Sequence, residues 1–296
     1  MRFSSPEKQA VKQSASVMKA LQGKHIRSVR TVRNYEQCLR TVARILAENR
    51  QSLKDLTRET AAQYLVDRAV EVGQSQLNME RQALQAMMQH VTHELAPNET
   101  LNVEKSDLKE VLASRAYAPE QVALVAERQT DRNALSTEIA HAAGLRAHEL
   151  LTIRPTDERA PDVRPALEQK FENREAERSY TVVGKGGLCR EIRLPDHLAD
   201  RLEDRRLDEP VEVTDRGIHY EQHYDIGGGQ AWSQSFSDAA ERALGWSEGA
   251  HGLRHSYAQE RMVELQRAEY SYQTALAVVS QEMGHFRPEI TEVYLR

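Results

Sequence analysis

The sequence predicts a mainly α fold with a small β-sheet, divided into a helical N-terminal domain and a mixed α+β second domain. Three observations carry that expectation. Residues 26–96 repeat apolar side chains at helical steps of three and four. Pro97 and Pro119 bracket a stretch that breaks the pattern, as a linker does. Further on, "SYTVV" and "LCREIRLP" shift to short β-branched runs around "GKGG", the pattern of a hairpin. The expected division is a helical domain over 1–100, a linker over 101–117 and a second domain over 118–296.

Each element has its own local reason. In "SVRTVRNYEQCLRTVARILAEN" the residues Val32, Tyr35, Leu39, Val42 and Leu46 form one apolar face, and Ser28 or Thr31 caps the start. Arg33, Arg40 and Arg44 occupy the other face, with Arg30 just before them. A second helix runs through "LTRETAAQYLVDRAVEVG" with Thr57 as N-cap and Gly73 as its stop, and Glu59 and Glu80 flank the turn that follows. "SQLNMERQALQAMMQHVTHEL" forms a third, its methionines filling the core. Helices resume in "PEQVALVAERQ" and "NALSTEIAHAAGLRAHELLTI", and return after the hairpin at about residue 235.

Composition excludes several classes. No apolar run approaches a membrane span, and "MRFSSPEKQAVKQ" lacks an apolar signal core. Cys38 and Cys189 suggest neither a disulfide framework nor a metal knuckle, so a reducing, cytoplasmic compartment is expected. The net charge of −5 hides an asymmetry: residues 1–50 hold 11 Lys and Arg against 3 Asp and Glu, a local charge of +8, while the rest carries −13. A basic domain joined to an acidic body fits a surface that meets phosphate, and equally a solvated basic helix with no partner.

Four segments of the second domain carry reactive residues. "AAGLRAHELL" sets Arg146 three residues before Glu149, which alone reads as a surface ion pair. "VVGKGGLC" puts Lys185 at a hairpin tip, without the G-x-x-x-x-G-K-[ST] spacing of a phosphate-cradling loop. In "GAHGLRHSYAQERMVEL" a helix would place His251 and Arg254 on one face, able to grip a single phosphate together, with His255 pointing elsewhere. "VVSQEMGHFRPEITEVYL" ends a helix at Gly284, turns at Pro288 and presents Tyr294 nine residues after His285; alone, Tyr294 reads as packing. A metal site has weaker support. His219 and His223 in "HYEQH" have their glutamate at Glu221, two away rather than adjacent, and His90 and His93 find no Cys, His or Asp to complete a set.

Together, Arg146, Lys185, His251-x-x-Arg254, Gly284-His285 and Tyr294 resemble the tyrosine recombinases, the integrase family that breaks and rejoins DNA. The resemblance covers the whole second half and agrees with the basic helical first half, similar to that family's core-binding domain through "TVRNYEQCLRTV". It explains a tyrosine so near the end of the chain, since the family's nucleophile comes from its last helical segment. This sequence departs in three respects: 31 residues separate Arg254 from His285, longer than usual; the chain stops at Arg296 where many relatives have a tail that packs on a neighbour; and the catalytic half is acidic.

The resemblance implies a chemistry. Tyr294 would attack a DNA phosphorus to form a 3′-phosphotyrosyl link and free a 5′-hydroxyl, conserving bond energy so that no ATP or other cofactor is needed. Arg146 and Arg254 would clamp the non-bridging oxygens, Lys185 would protonate the leaving oxygen, His251 would move the tyrosine proton, His285 would bond a phosphate oxygen and Glu149 would orient a basic neighbour. Arg30, Arg33, Arg40 and Arg44 are the expected DNA-backbone contacts, on one side of a two-domain clamp. The implied partners are double-stranded recombination sites, a homotetramer on DNA, and accessory bending or directionality factors, serving a bacterial mobile element at the nucleoid. The alternatives are a non-catalytic DNA-binding regulator with the same fold and, more distantly, a metal-dependent hydrolase using His219 and His223.

Overall fold

A computed structural model describes residues 5–48, 50–109, 113–174 and 176–296. The chain divides into two compact units, Met1–Val111 and Leu112–Arg296. Residues 110–112 of the expected linker lie outside the described residues.

The first unit is helical. Helix α1 (Pro6–Leu21) starts at Ser5, whose hydroxyl accepts from the Lys8 amide, and at Pro6, whose fixed φ suits a first helical turn. It was not expected from the sequence. Helix α2 (Val29–Glu48) buries Val32, Leu39, Val42 and Leu46, and Ser28 caps it by accepting from the Thr31 amide at 3.4 Å. Helix α3 (Arg58–Arg68) is capped by Thr57. It ends at Arg68, and Gly73, expected as its stop, is instead the N-cap of α4 (Gln74–Met87). Glu80 flanks no turn. It lies inside α4, fully buried, accepting from Tyr64 Oη at 2.7 Å, from Arg68 at 3.0 Å and from Gln76 at 2.9 Å. Burial opposes its charge, but these donors outweigh burial and keep the carboxyl below its ordinary pKa. A π-helical turn, Met88–Thr92, follows, and His90 stacks on His25 with ring centroids 3.8 Å apart.

The second unit packs helices around two small sheets. Helices α5 (Pro119–Ala126) and α6 (Asp131–Ala142) precede a 3-10 turn, Glu149–Thr152. Strands β1 (Arg154–Pro155), β2 (Arg178–Val183) and β3 (Cys189–Leu194) form an antiparallel sheet in that order, with Tyr180 opposite Ile192 and Val183 opposite Cys189. Helix α7 (Asp196–Glu203) leads into a second hairpin, β4 (Arg206–Asp215) with β5 (Ile218–Tyr224), which the sequence did not predict. Its two-residue loop, Arg216-Gly217, has positive φ at both positions, the geometry that matches strand twist. Helices α8 (Gly229–Leu244), α9 (Gly252–Arg267), α10 (Tyr272–Glu282) and α11 (Pro288–Thr291) complete it, ending in a 3-10 turn at Glu292–Leu295. One core gathers Leu135, Ile139, Val182, Ile192, Trp232, Phe236 and Leu253; a second joins α9, α10 and the C-terminal turn through Tyr257, Leu265, Leu276, Val279 and Tyr294. No described helix is long and apolar enough to cross a membrane.

Candidate active site

The site is built on the first turns of α9. His251 is its N-cap, and Arg254 follows one turn later. Gly252 lies between them because nothing larger fits: a Cβ there would stand 2.3 Å from the Arg115 carbonyl oxygen and 2.5 Å from the Tyr117 ring. Ser256 closes that seam, its hydroxyl accepting from the Tyr117 amide and donating to the Tyr117 carbonyl, both at 2.8 Å.

Arg254 is fully buried, and its fork is held on several sides. Nη1 donates to the Gly144 carbonyl, and Nη2 to the Met283 carbonyl at 3.3 Å and to His285 Nε2 at 3.0 Å. Burial, then the charge of Arg146, pulls its pKa down to about 10, which leaves it a cation at neutral pH. Gly144 makes the approach through a positive φ.

Arg146 and Glu149 do form the i,i+3 pair, but not a surface one. The Glu149 carboxylate is fully buried and accepts from the Arg146 amide at 2.8 Å, from Arg146 Nη1 at 2.8 Å and from Arg190 Nη2 at 2.9 Å. Arg254 Nη1 stands 3.9 Å from the same carboxylate. Burial alone would raise its pKa, but the charges of Arg190, Arg254 and Arg146 overrule burial and hold it well below the ordinary carboxylate range.

His285 follows Gly284, which has a φ of +74°. An arginine offers only donors, so Nε2 of His285 accepts from Arg254 and the ring proton sits on Nδ1, which faces Thr291 Oγ1 at 3.1 Å. Burial, then Arg254, Arg146 and Arg190, push its pKa down to about 3, so the ring is neutral. His251 is likewise lowered to about 3 by burial, then by Arg254 and its other cationic neighbours. Its outer edge is exposed, so solvent screens part of that depression; the direction stands on the surrounding cations.

Tyr294 is brought into this cluster, nearly buried. Its ring centroid is 5.1 Å from that of His285, 5.5 Å from His251 and 4.8 Å from His255, and 5.4 Å from Cζ of Arg254. Gln259 on α9 fastens the segment by donating to the carbonyls of Tyr294 at 3.1 Å and Arg296 at 3.0 Å. Lys185 is exposed, on the β2–β3 tip. Gly184 beside it is pressed toward the ion pair: a Cβ there would be 3.2 Å from Glu149 Oε1 and 3.9 Å from Arg146 Nη1.

Arg146, Glu149, His251, Arg254, His285 and Tyr294 therefore converge, and Lys185 follows Gly184, which abuts the Arg146–Glu149 pair. Arg30, Arg33, Arg40 and Arg44 are exposed on or next to α2 in the other unit. His255 does not point elsewhere. At i,i+4 from His251 it shares that residue's helix face, and it backs the Tyr294 ring; burial, then Arg115, lowers its pKa to about 4. Arg190 was missed too, although period two places it with Ile192 and Leu194 on the inward face of β3. His219 and His223 lie on β5, not a helix, and among the described residues no group of three His, Cys, Asp or Glu is placed to hold a metal.

No family model matches the chain, and no curated protein matches it. Solved structures do. The XerH site-specific recombinase bound to palindromic difH substrate, in a post-cleavage complex, aligns over 100% of this chain and 94% of its own at 14% identity and a TM-score of 0.58. The Tn1549 transposon integrase in complex with transposon right end DNA aligns over 97% of this chain and 95% of its own, at 14% identity and 0.57. A lambda integrase tetramer bound to a Holliday junction aligns over 96% of this chain and 76% of its own, at 17% identity and 0.60. At such identities the likeness is one of fold: this chain has the tyrosine-recombinase fold, mainly helical with small antiparallel sheets.

Proposed function

We propose that the protein is a site-specific DNA recombinase that cuts and rejoins strands through a 3′-phosphotyrosyl intermediate, serving the integration or excision of a bacterial mobile element. The observation that carries this is the convergence of Tyr294 on Arg254, His251 and His285, with Arg146 and Glu149 joined to the same cluster. The fold adds support, because three DNA-bound recombinases and integrases share it.

The Tyr294 oxygen would attack the phosphorus while the bond to the 5′ oxygen breaks. His251, open at one edge and with its ring centroid 5.5 Å from that of Tyr294, would take the phenolic proton once a bound phosphate offsets the cations that lower its pKa. Lys185, a mobile ammonium on a hairpin tip, is suited to give one to the departing oxygen. The charge that grows on the non-bridging oxygens would meet Arg146 and Arg254, and loss of one such donor costs roughly 3–4 kcal/mol, or 10²–10³ in rate. His285 would donate its Nδ1–H to a phosphate oxygen once DNA displaces that proton's present partner, Thr291. Attack by the free 5′-hydroxyl reverses each transfer, so rejoining needs no separate energy source. Arg30, Arg33, Arg40 and Arg44, exposed around α2, would bind backbone phosphates in a salt-dependent way. Two paired sites held by four copies would complete the exchange.

The test is covalent capture. Wild type and Tyr294→Phe are expressed in a host carrying the native element, lysed in strong denaturant without crosslinker and purified, and any attached DNA is sequenced. DNA on the wild type alone is expected, and it would return the target sequence. Its absence from well-expressed wild type, even with a nicked trapping substrate, would favour a DNA-binding regulator.

A further inference from the structure

The hairpin that carries Lys185 at its tip also carries a buried cation that the mechanism leaves unused. Arg190 is 4% exposed and lies on β3, five residues after Lys185. Its fork opens in two directions. Nη2 donates to Glu149 at 2.9 Å, on the segment that bears Arg146. Nη1 donates to the Glu282 carbonyl at 2.6 Å, at the end of α10 just before His285. Its aliphatic stem runs beneath the turn between them: a Cβ on Gly284 would stand 2.7 Å from Arg190 Cδ. One side chain thus touches two separate pieces of chain and is rooted in a third, and each of the three bears a candidate catalytic group.

We propose that Arg190 is the positioning residue that seats the Gly284–His285 turn against the Arg146–Glu149 segment and registers both with the Lys185 hairpin. It also bears on Arg254. With Arg190 and Arg146 occupying the Glu149 carboxylate, Arg254 stays 3.9 Å from it and keeps its Nη2 on His285. Without Arg190 that carboxylate, buried and under-compensated, would draw Arg254 toward itself and away from His285. Lysine is no substitute, because an ammonium cannot span two acceptors on opposite sides as a planar fork does.

The consequence for activity rests on the recombinase reading above, so the test has a readout independent of it. In the full chain with 15N-labelled histidine, the His285 ring should show a single tautomer protonated at Nδ1. Arg190→Met, measured well below its unfolding temperature, is expected to lose that tautomer while exposed His219 stays as in wild type. Covalent DNA per protein in the capture experiment should fall roughly 10–100-fold, the effect of an ångström-scale misplacement of reacting groups. A folded Arg190→Met with the wild-type His285 spectrum overturns the proposal. If that variant does not fold, Arg190→Lys decides: a partial loss of the tautomer supports the two-sided role, and an unchanged spectrum overturns it. Should the wild type itself capture no DNA, the recombinase reading falls, and the histidine spectra still judge Arg190.

Discussion

The ring of Tyr294 covers the guanidinium of Arg254, with Cζ 5.4 Å from the ring centroid. The aromatic face therefore covers one side of a cation that has no exposed surface of its own. On the proposed mechanism, a phosphate that reaches Arg254 would displace part of that cover and shift the Glu292–Leu295 turn. The ring and the hydroxyl consequently have separable roles. Tyr294→Phe keeps the ring and should unfold at the wild-type temperature while forming no covalent adduct. Tyr294→Ala uncovers Arg254 and should destabilise by about 2–4 kcal/mol, as large-to-small changes at aromatic core positions do. Thermal unfolding of the two variants side by side measures the difference.

The neutral histidines set a pH dependence. His251 and His285 are lowered to about 3 and His255 to about 4, against an ordinary value of 6.5. Below 6.5 the unfolded chain takes up protons that the folded site refuses, so stability is full above 6.5 and falls as pH drops toward 4. Glu149, whose pKa is also depressed, adds to the loss only below its ordinary 4.5. Denaturant midpoints between pH 7.5 and 4.5 should decline steadily, and the decline should be shallower in His255→Gln. A flat profile would contradict the neutral state of these rings.

Glu80 gives the first unit its own vulnerability. Removing the carboxylate in Glu80→Ala leaves the partly buried Arg68 with only the exposed Glu71 as a carboxylate partner, and breaking a buried ion pair from one side costs up to about 3–5 kcal/mol. Glu80→Gln, which retains an acceptor for Tyr64 and Arg68, should cost less. Urea unfolding followed separately in each unit should place the loss in Met1–Val111 alone.

The basic face of α2 should act on binding and not on folding. Arg33, Arg40 and Arg44 are exposed, so Arg40→Gln and Arg44→Gln should leave the unfolding temperature unchanged. Each should weaken noncovalent retention of the captured duplex and reduce the slope of log affinity against log salt by about one.

What could be read in the sequence was what local spacing decides. Thr57 caps α3 because the cap is a three-residue affair, and the Lys185 hairpin follows from a glycine turn between β-branched runs. The face shared by His251 and Arg254 follows from helix geometry; His255 was misplaced only because its i,i+4 relation to His251 went unused. Other features depend on distant partners. Glu80 looks like an ordinary surface glutamate until Tyr64 and Arg68 close over it, and Arg190 until Glu149 and the α10 end meet it. Helix α1 carries too sparse an apolar stripe for periodicity to find, and β4 is exposed along most of its length, so it shows no alternation.

The seam at Gly252 has a mechanical meaning. Arg115 Nη2 holds the Glu248 carbonyl at 2.7 Å, Tyr117 Oη accepts from the Glu248 amide at 2.7 Å, and both residues lie against the turn that begins with His251. The chain entering the second unit is thus anchored at the start of α9 before it reaches any other helix. A pull on the backbone at residue 115 would therefore be borne first by the Glu248–Gly252 segment and the start of α9, ahead of α5.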